Sequence, residues 1–152
     1  MVVGLISDTH GLVRPEVFTL LAGVELILHA GDVGVGVLEE LQAIAPVRAV
    51  AGNTDDPWDP RLARSLGLDI GGVSVHVSHG HELGSPKPEA LLARYDARVL
   101  VYGHTHEALV HREGPRLAVN PGAAGPARFD VKPSVARMTV GNGRVEVEIL
   151  WL

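Results

Sequence analysis

Three times in the first 55 residues, an apolar run of strand length ends in glycine and polar side chains, and a helix-like pattern comes before the next run. Val2-Val3-Gly4-Leu5-Ile6 runs into Ser7-Asp8-Thr9-His10-Gly11, Glu25 to Ala30 into Gly31-Asp32, and Val47 to Ala51 into Gly52-Asn53-Thr54-Asp55. The segments between them predict helices. Pro15 to Ala22 opens on a first-turn proline and stops at Gly23, and Val37 to Ala45 puts Leu38, Leu41 and Ile44 on one face before Pro46 breaks it. Strand, polar cluster and helix in repetition mean parallel βαβ units. In such sheets ligands gather at the carboxyl ends of the strands, where these clusters fall.

The middle of the chain is less regular. Asp56 to Asp59 reads as a turn-rich loop carrying Trp58, and Pro60 to Ser65 as a short helix. Leu68 to Ile70 and Val73 to Ser78 predict a hairpin about Gly71-Gly72, its second strand ending in His79-Gly80-His81. A helix over Pro88 to Tyr95 leads to Arg98-Val99-Leu100-Val101-Tyr102, a buried strand closed by Gly103. His104 and His106 follow, two apart. Side-chain direction alternates with period two in a strand, which predicts both imidazoles aimed at one point. Beyond them Ala108 to His111, Leu117 to Val119, Ser134 to Val140 and Val145 to Leu150 read as antiparallel strands. Glycine turns join them at Glu113-Gly114 and Gly141-Asn142-Gly143, and Asn120 to Pro126 forms a tight loop. With no linker, repeat or low-complexity segment, one domain spanning residues 1–152 is expected.

Composition removes several chemistries. The chain has no cysteine, which excludes disulfides, thiolate metal sites and cysteine nucleophiles together. A net charge of −5 argues against a dedicated nucleic-acid surface, which needs a basic stripe. No apolar run approaches a membrane span. The first strand begins at once with no basic segment before it, which predicts no signal peptide and a cytoplasmic protein. What remains are the strand-end donors: Asp8, His10, Asp32, Asn53, His79, His104 and His106. Seven oxygen and nitrogen donors without sulfur suit manganese, iron, zinc, nickel or cobalt. They are too many for one ordinary site but fit two metals sharing a ligand, and a carboxylate can bridge because it has two oxygens. Two dications ~3.5–4 Å apart can clamp an in-line phosphoryl displacement. Two aspartates leave such a pair net positive, as an anionic phosphate requires.

Asp8-x-His10, Gly31-Asp32, Gly52-Asn53-x-Asp55, His79-Gly80-His81 and Gly103-His104-x-His106 resemble the five ordered blocks of the calcineurin-like metallophosphoesterase superfamily. The short length and the Asn120-Pro121-Gly122 loop resemble its small YfcE-like phosphodiesterase branch, and the resemblance runs from Asp8 to about Pro126. It implies a four-layer α/β-β-α sandwich of two mixed β-sheets flanked by helices. Carried over by position, it implies one metal held by Asp8, His10, Asp32 and His106. A second would be held by Asp32, Asn53, His79 and His104, with Asp32 bridging and a hydroxide on the metals as nucleophile. Manganese is the first expectation for both, the substrate a small phosphoester, and the assembly a homo-oligomer.

The chain departs from the family pattern at Thr54, where many members carry a histidine that assists the phosphate or leaving group. Thr54 cannot act as an acid near neutral pH, which puts monoesters with poor leaving groups in doubt and leaves diesters with good ones. His81 is then the candidate proton donor or phosphate contact. Asp55 either caps a helix or orients a neighbour. No second acid follows Asp32, where Val33-Gly34-Val35-Gly36 stands. That glycine spacing is wrong for a dinucleotide loop, and Asp32 would repel a pyrophosphate.

Other polar residues have plainer readings. His29 and His76 lie inside apolar strands and are expected to be hydrogen-bonded core or surface residues rather than ligands. His111 reads as a solvated strand residue, Asn120 as a loop-shaping one, and Trp58 as part of a lid or an oligomer contact. Two rivals to the enzyme reading are kept. One is a protein-binding scaffold with a vestigial metal site, as the family's retromer subunit Vps29 is. The other is a metal store or sensor that binds ions without turnover.

Overall fold

Alternation along the first strand divides the interior in two. Val3 and Leu5 of β1 (Val2–Ile6) face one apolar layer, while Ile6 joins another built with the first two helices. The computed structural model describes residues 1–128 and 130–152. Its elements after β1 are α1 (Pro15–Leu20), β2 (Leu26–His29), α2 (Val37–Leu41), β3 (Val47–Val50) and β4 (Leu62–Ala63). Next come β5 (Leu66–Ile70), β6 (Val73–Val77), α3 (Pro88–Arg94), β7 (Val99–Val101), β8 (Leu109–Glu113), β9 (Arg116–Asn120), β10 (Ser134–Gly141) and β11 (Arg144–Trp151).

The strands form two mixed sheets. One has the order β11-β10-β1-β2-β3-β4, the other β5-β6-β7-β9-β8. In the first, β1 to β4 run parallel and β10 pairs antiparallel to β1. In the second, β6, β7 and β9 run parallel, with antiparallel strands at both edges. The sheets pack face to face over Val3, Leu5, Leu28, Val75, Val77, Val99, Val101, Val119 and Met138. Val17 and Leu21 on the α1 side and Val37 and Leu41 of α2 cover the outer face of the first sheet. Leu91 and Leu92 of α3 cover Leu100, Tyr102 and Ala118 of the second. This gives four layers, α/β-β-α, as the resemblance implies. Among the described residues no helix is long and apolar enough to cross a membrane.

Several expectations are corrected. Pro60 to Ser65 contains no helix; Leu62–Ala63 is instead the edge strand β4. The Ala51 amide donates to the Ala63 carbonyl at 2.8 Å, so the open edge of β3 captured a segment whose local pattern was ambiguous. The first two helices end four residues or fewer short of their expected limits, at Leu20 and Leu41. The C-terminal strands pair antiparallel within each hairpin, as expected, but the two hairpins do not share a sheet. The β8–β9 hairpin joins the second sheet, where β9 lies parallel to β7, while β10–β11 joins the first. Both glycine turns stand where expected, between β8 and β9 and between β10 and β11.

Candidate metal centre

The parallel strands of both sheets end on the same side of the sandwich, and the polar clusters meet there. Backbone hydrogen bonds stitch them together. The Asp8 amide donates to Gly31, the His10 amide to Asp32, and the Gly103 amide to His79, each at 3.0 Å.

The aiming of the side chains does not come from strand alternation. β7 ends at Val101, before either histidine. Instead Asp8, His10, Asp32, His104 and His106 all adopt left-handed backbone, with φ between +47° and +73°. The remaining described non-glycine residue of this kind, Asn142, sits in the β10–β11 hairpin turn. Left-handed backbone costs an L-residue ~1–2 kcal/mol, so strain is concentrated on five of the seven expected ligands. Such strain persists where the surroundings over-determine it, as at functional sites.

Each aspartate gives one oxygen to the scaffold and one to the site. Asp8 Oδ2 accepts from the Ser7 hydroxyl at 2.6 Å and from the His104 amide at 3.1 Å. Its Oδ1 is buried with no hydrogen-bond partner and lies 3.3 Å from His106 Nε2, 3.8 Å from His79 Nε2 and 3.9 Å from His10 Nε2. Asp32 Oδ1 accepts from the Thr54 amide at 3.0 Å. Its Oδ2 faces His79 Nε2 at 3.3 Å and His10 Nε2 at 3.7 Å. His79 Nδ1–H donates to the Ala30 carbonyl at 2.7 Å, crossing from one sheet to the other. That bond puts the Nε2 lone pair toward the carboxylates.

Two groups of donors lie within 4.8 Å of one another: Asp8, His10 and His106, and Asp8, Asp32 and His79. They overlap at Asp8, whereas the resemblance shares Asp32. His104 joins from the rim, its ring 5.2 Å from that of His79. His81 is exposed on a short 3₁₀ turn, its ring 5.3 Å from His79 and 6.3 Å from His104. Asn53 is exposed, next to Gly52. Asp55 turns away from the donors: its carboxylate accepts from the amides of Val33, Gly34 and Gly52 at 2.8–3.3 Å.

Electrostatics follow from this crowding. Burial raises the Asp8 and Asp32 carboxyls, but the facing histidines and hydrogen-bond donors outweigh it and hold both below the usual carboxylate range. His79 is pulled down by burial and, more strongly, up by Asp32 and Asp8, so its basicity rises. His104 falls through burial and the neighbouring His79.

The donor set fits a metal. Asp8 Oδ1, His10 Nε2 and His79 Nε2 are buried and lack hydrogen bonds, and each such orphan costs ~1–3 kcal/mol unless something pairs it. Ligands ~2.1 Å from one cation lie ~3.0–3.4 Å apart at octahedral to tetrahedral angles. The shorter gaps here, 3.3 Å, are already of that size.

Close packing of glycine lets the loops converge. A Cβ on Gly52 would overlap the amide nitrogen and Oδ1 of Asp32, and one on Gly103 would overlap Ser7 Oγ and stand 2.6 Å from Asp8 Oδ2.

Residues 1–143 match the calcineurin-like phosphoesterase superfamily domain. The chain belongs to that superfamily. A probable metallophosphoesterase of Methanothermobacter thermautotrophicus is 35% identical over 99% of this chain and 92% of its own length. A phosphodiesterase of Methanocaldococcus jannaschii is 27% identical over 80% of this chain and 83% of its own length. Among solved structures, Vps29 from Entamoeba histolytica superposes with a TM-score of 0.82 at 23% identity, covering 100% of this chain and 99% of that one. That last likeness is one of fold.

Sequence reasoning overlooked several supporting residues. Asn120 does more than shape its own loop. Its Nδ2 donates to Thr105 Oγ1 at 2.9 Å and to the Gly103 carbonyl at 3.3 Å, and its Oδ1 accepts from the Gly122 amide at 2.9 Å. It thereby ties the Gly103–His106 turn to the end of β9. Ser7 and Thr9 flank Asp8 in sequence, and that adjacency is the local signal that could have found them. His29 is core, as expected, and fully buried. His76 stacks on Tyr95 with centroids 4.0 Å apart. His111 is half-exposed beside Glu89 and Glu113.

Proposed function

We propose that the chain hydrolyses phosphate diesters using two divalent cations held by Asp8, His10, Asp32, Asn53, His79, His104 and His106. The observation that carries this reading is that His10 Nε2 and His79 Nε2, buried and unpartnered, lie 3.9 and 3.8 Å from Asp8 Oδ1, itself buried and unpartnered, in two donor groups that meet at that aspartate. The family match supports a phosphoesterase, and the named phosphodiesterase relative supports a diester. Asp32 is kept as the shared ligand: the resemblance assigns His10 and His79 to different cations, and Asp32 Oδ2 stands nearer to both, at 3.7 and 3.3 Å, than Asp8 Oδ1 does at 3.9 and 3.8 Å. Asp8 already gives Oδ2 to two donors. When bound, such cations polarise a phosphoryl oxygen and lower the pKa of water; manganese is the first to test, then zinc, iron, nickel and cobalt.

The chain's own residues supply the rest. His79 holds its Nε2 lone pair ready because its Nδ1–H donates to the Ala30 carbonyl. His81, exposed at the rim, contacts the phosphate or delivers a proton to the departing oxygen. Its turn is anchored by Glu82, which accepts from the Gly80 amide at 2.9 Å and from the Tyr95 hydroxyl at 2.7 Å. Thr54 offers no acid, so esters whose leaving group departs unassisted are the preferred substrates. Asp55 acts as a positioning residue, clamping the loop that carries Asp32. Homo-oligomerisation and small phosphoester substrates follow the same resemblance; size-exclusion chromatography reads the first.

The test is Mn²⁺-dependent hydrolysis of bis-p-nitrophenyl phosphate by wild type and Asp32→Ala. Turnover by the wild type alone supports the reading, and equal rates remove it. The rival, a scaffold on the same sandwich like Vps29, predicts no turnover by either protein.

A further inference from the structure

We infer that His29, outside the donor set, is a positioning residue that sets the separation of the Asp8–His10 loop from the Asp32 loop through a directed chain of three buried hydrogen bonds. The Gly31 amide lies 3.1 Å from His29 Nδ1, His29 Nε2 lies 2.9 Å from Thr9 Oγ1, and Thr9 Oγ1 lies 2.6 Å from the Val33 carbonyl. His29 and Thr9 are both fully buried.

The chemistry of the end groups fixes every proton. A backbone amide can only donate, so Nδ1 accepts and the neutral ring carries its hydrogen on Nε2. Nε2–H then donates to Thr9 Oγ1. A carbonyl can only accept, so the threonine hydroxyl donates to Val33. No member is left unsatisfied and none can be reversed alone.

The placement is what gives the chain its effect. Thr9 stands between Asp8 and His10, and Gly31 and Val33 stand on either side of Asp32. The bonds therefore grip the backbone between strained donors, all three of which have φ between +47° and +54°. The Gly11 amide also donates to Val33 at 2.9 Å, so that carbonyl of the Asp32 loop receives two donors from the Asp8–His10 loop. Packing alone would not select this arrangement, since an apolar side chain could fill the space of His29.

This inference rests on reading the donors as a metal centre, and the experiment separates the two. Long-range ¹H–¹⁵N NMR of the chelator-treated wild type reads the His29 tautomer, and calorimetric titration with Mn²⁺ alone reads affinity in wild type, Thr9→Val, Thr9→Ser and Asp32→Ala. We expect the Nε2–H tautomer and a slowly exchanging Nε2 proton. Thr9→Val should bind Mn²⁺ at least tenfold more weakly while staying folded by circular dichroism, and Thr9→Ser, which keeps the hydroxyl, should recover the wild-type affinity. An Nδ1–H tautomer overturns the inference without needing any variant to fold. Equal Mn²⁺ affinity in Thr9→Val and wild type, with Asp32→Ala weakened, overturns the clasp and leaves the metal centre standing. A wild type that takes up no Mn²⁺ overturns both.

Discussion

Lowering the pH should destabilise the metal-free protein through His29. Burial is the main cause that pulls this imidazole from its ordinary 6.5 to about 4. The charges of Asp8, Asp55 and Asp32 oppose that pull, and His79 adds to it. The folded-state value is depressed, so the neutral ring is the form the fold accepts. Above pH 6.5 neither state holds the extra proton and the fold keeps its full stability. As pH falls toward about 4, the unfolded chain takes up a proton that the folded chain refuses, and stability drops. Each pH unit in that window costs ~1.4 kcal/mol, so the loss is ~2 kcal/mol by pH 5 and ~3 kcal/mol once the folded ring titrates. Against a typical stability of ~5–15 kcal/mol this is a large change. Urea unfolding with chelator present, at pH 7.5 and pH 5.0, should show it in the wild type. His29→Gln keeps an N–H for Thr9 but does not titrate, and should lose ~2 kcal/mol less between the two pH values. All the other facing groups remain in the variant, so equal losses in the two proteins would refute the reasoning.

Three further outcomes are expected. Gly52→Ala forces a Cβ onto the Asp32 backbone and carboxylate. It should cost ~2 kcal/mol or more and weaken Mn²⁺ binding, read by urea unfolding and calorimetric titration; an unchanged protein would mean that the loops can part freely. Asn120→Ala removes three hydrogen bonds, two of them buried, and strands the Gly122 amide. A loss of ~2–3 kcal/mol in urea is the expected outcome, and a loss under ~0.5 kcal/mol would deny the residue its role in holding the Gly103–His106 turn. His81→Ala should leave hydrolysis of a p-nitrophenyl diester nearly intact but slow that of an alkyl diester by ~100-fold. Equal effects on the two substrates would argue against proton delivery by this side chain.

Much of the site could be read from the chain alone, because its signals are local. Apolar runs closed by Gly31-Asp32, Gly52-Asn53 or Gly103-His104 mark strand ends, and a parallel sheet gathers strand ends on one side. Glycine precedes Asp32, Asn53 and His104 because another group packs where a Cβ would stand: His79 against Gly31, Asp32 against Gly52 and Ser7 against Gly103. The Gly71-Gly72 hairpin and both C-terminal turns were legible for the same reason: two neighbouring residues carry the whole requirement.

What only the tertiary structure decided depends on partners distant in sequence. Pro60 to Ser65 became a strand edge because Ala51 offered its amide. The two C-terminal hairpins, alike in pattern, went to different sheets because β1 and β7 present different free edges. Asp8 and Asp32 became one-sided acceptors because Ser7, His104 and Thr54 each claim an oxygen. The left-handed backbone that aims His104 and His106 leaves no mark in residue type, since neither is glycine. His29 and Thr9 lie twenty residues apart, and only folding brings their hydrogen bond into being. Donor identity is thus a local property of the chain, whereas the direction in which each lone pair points is a property of its neighbours in space.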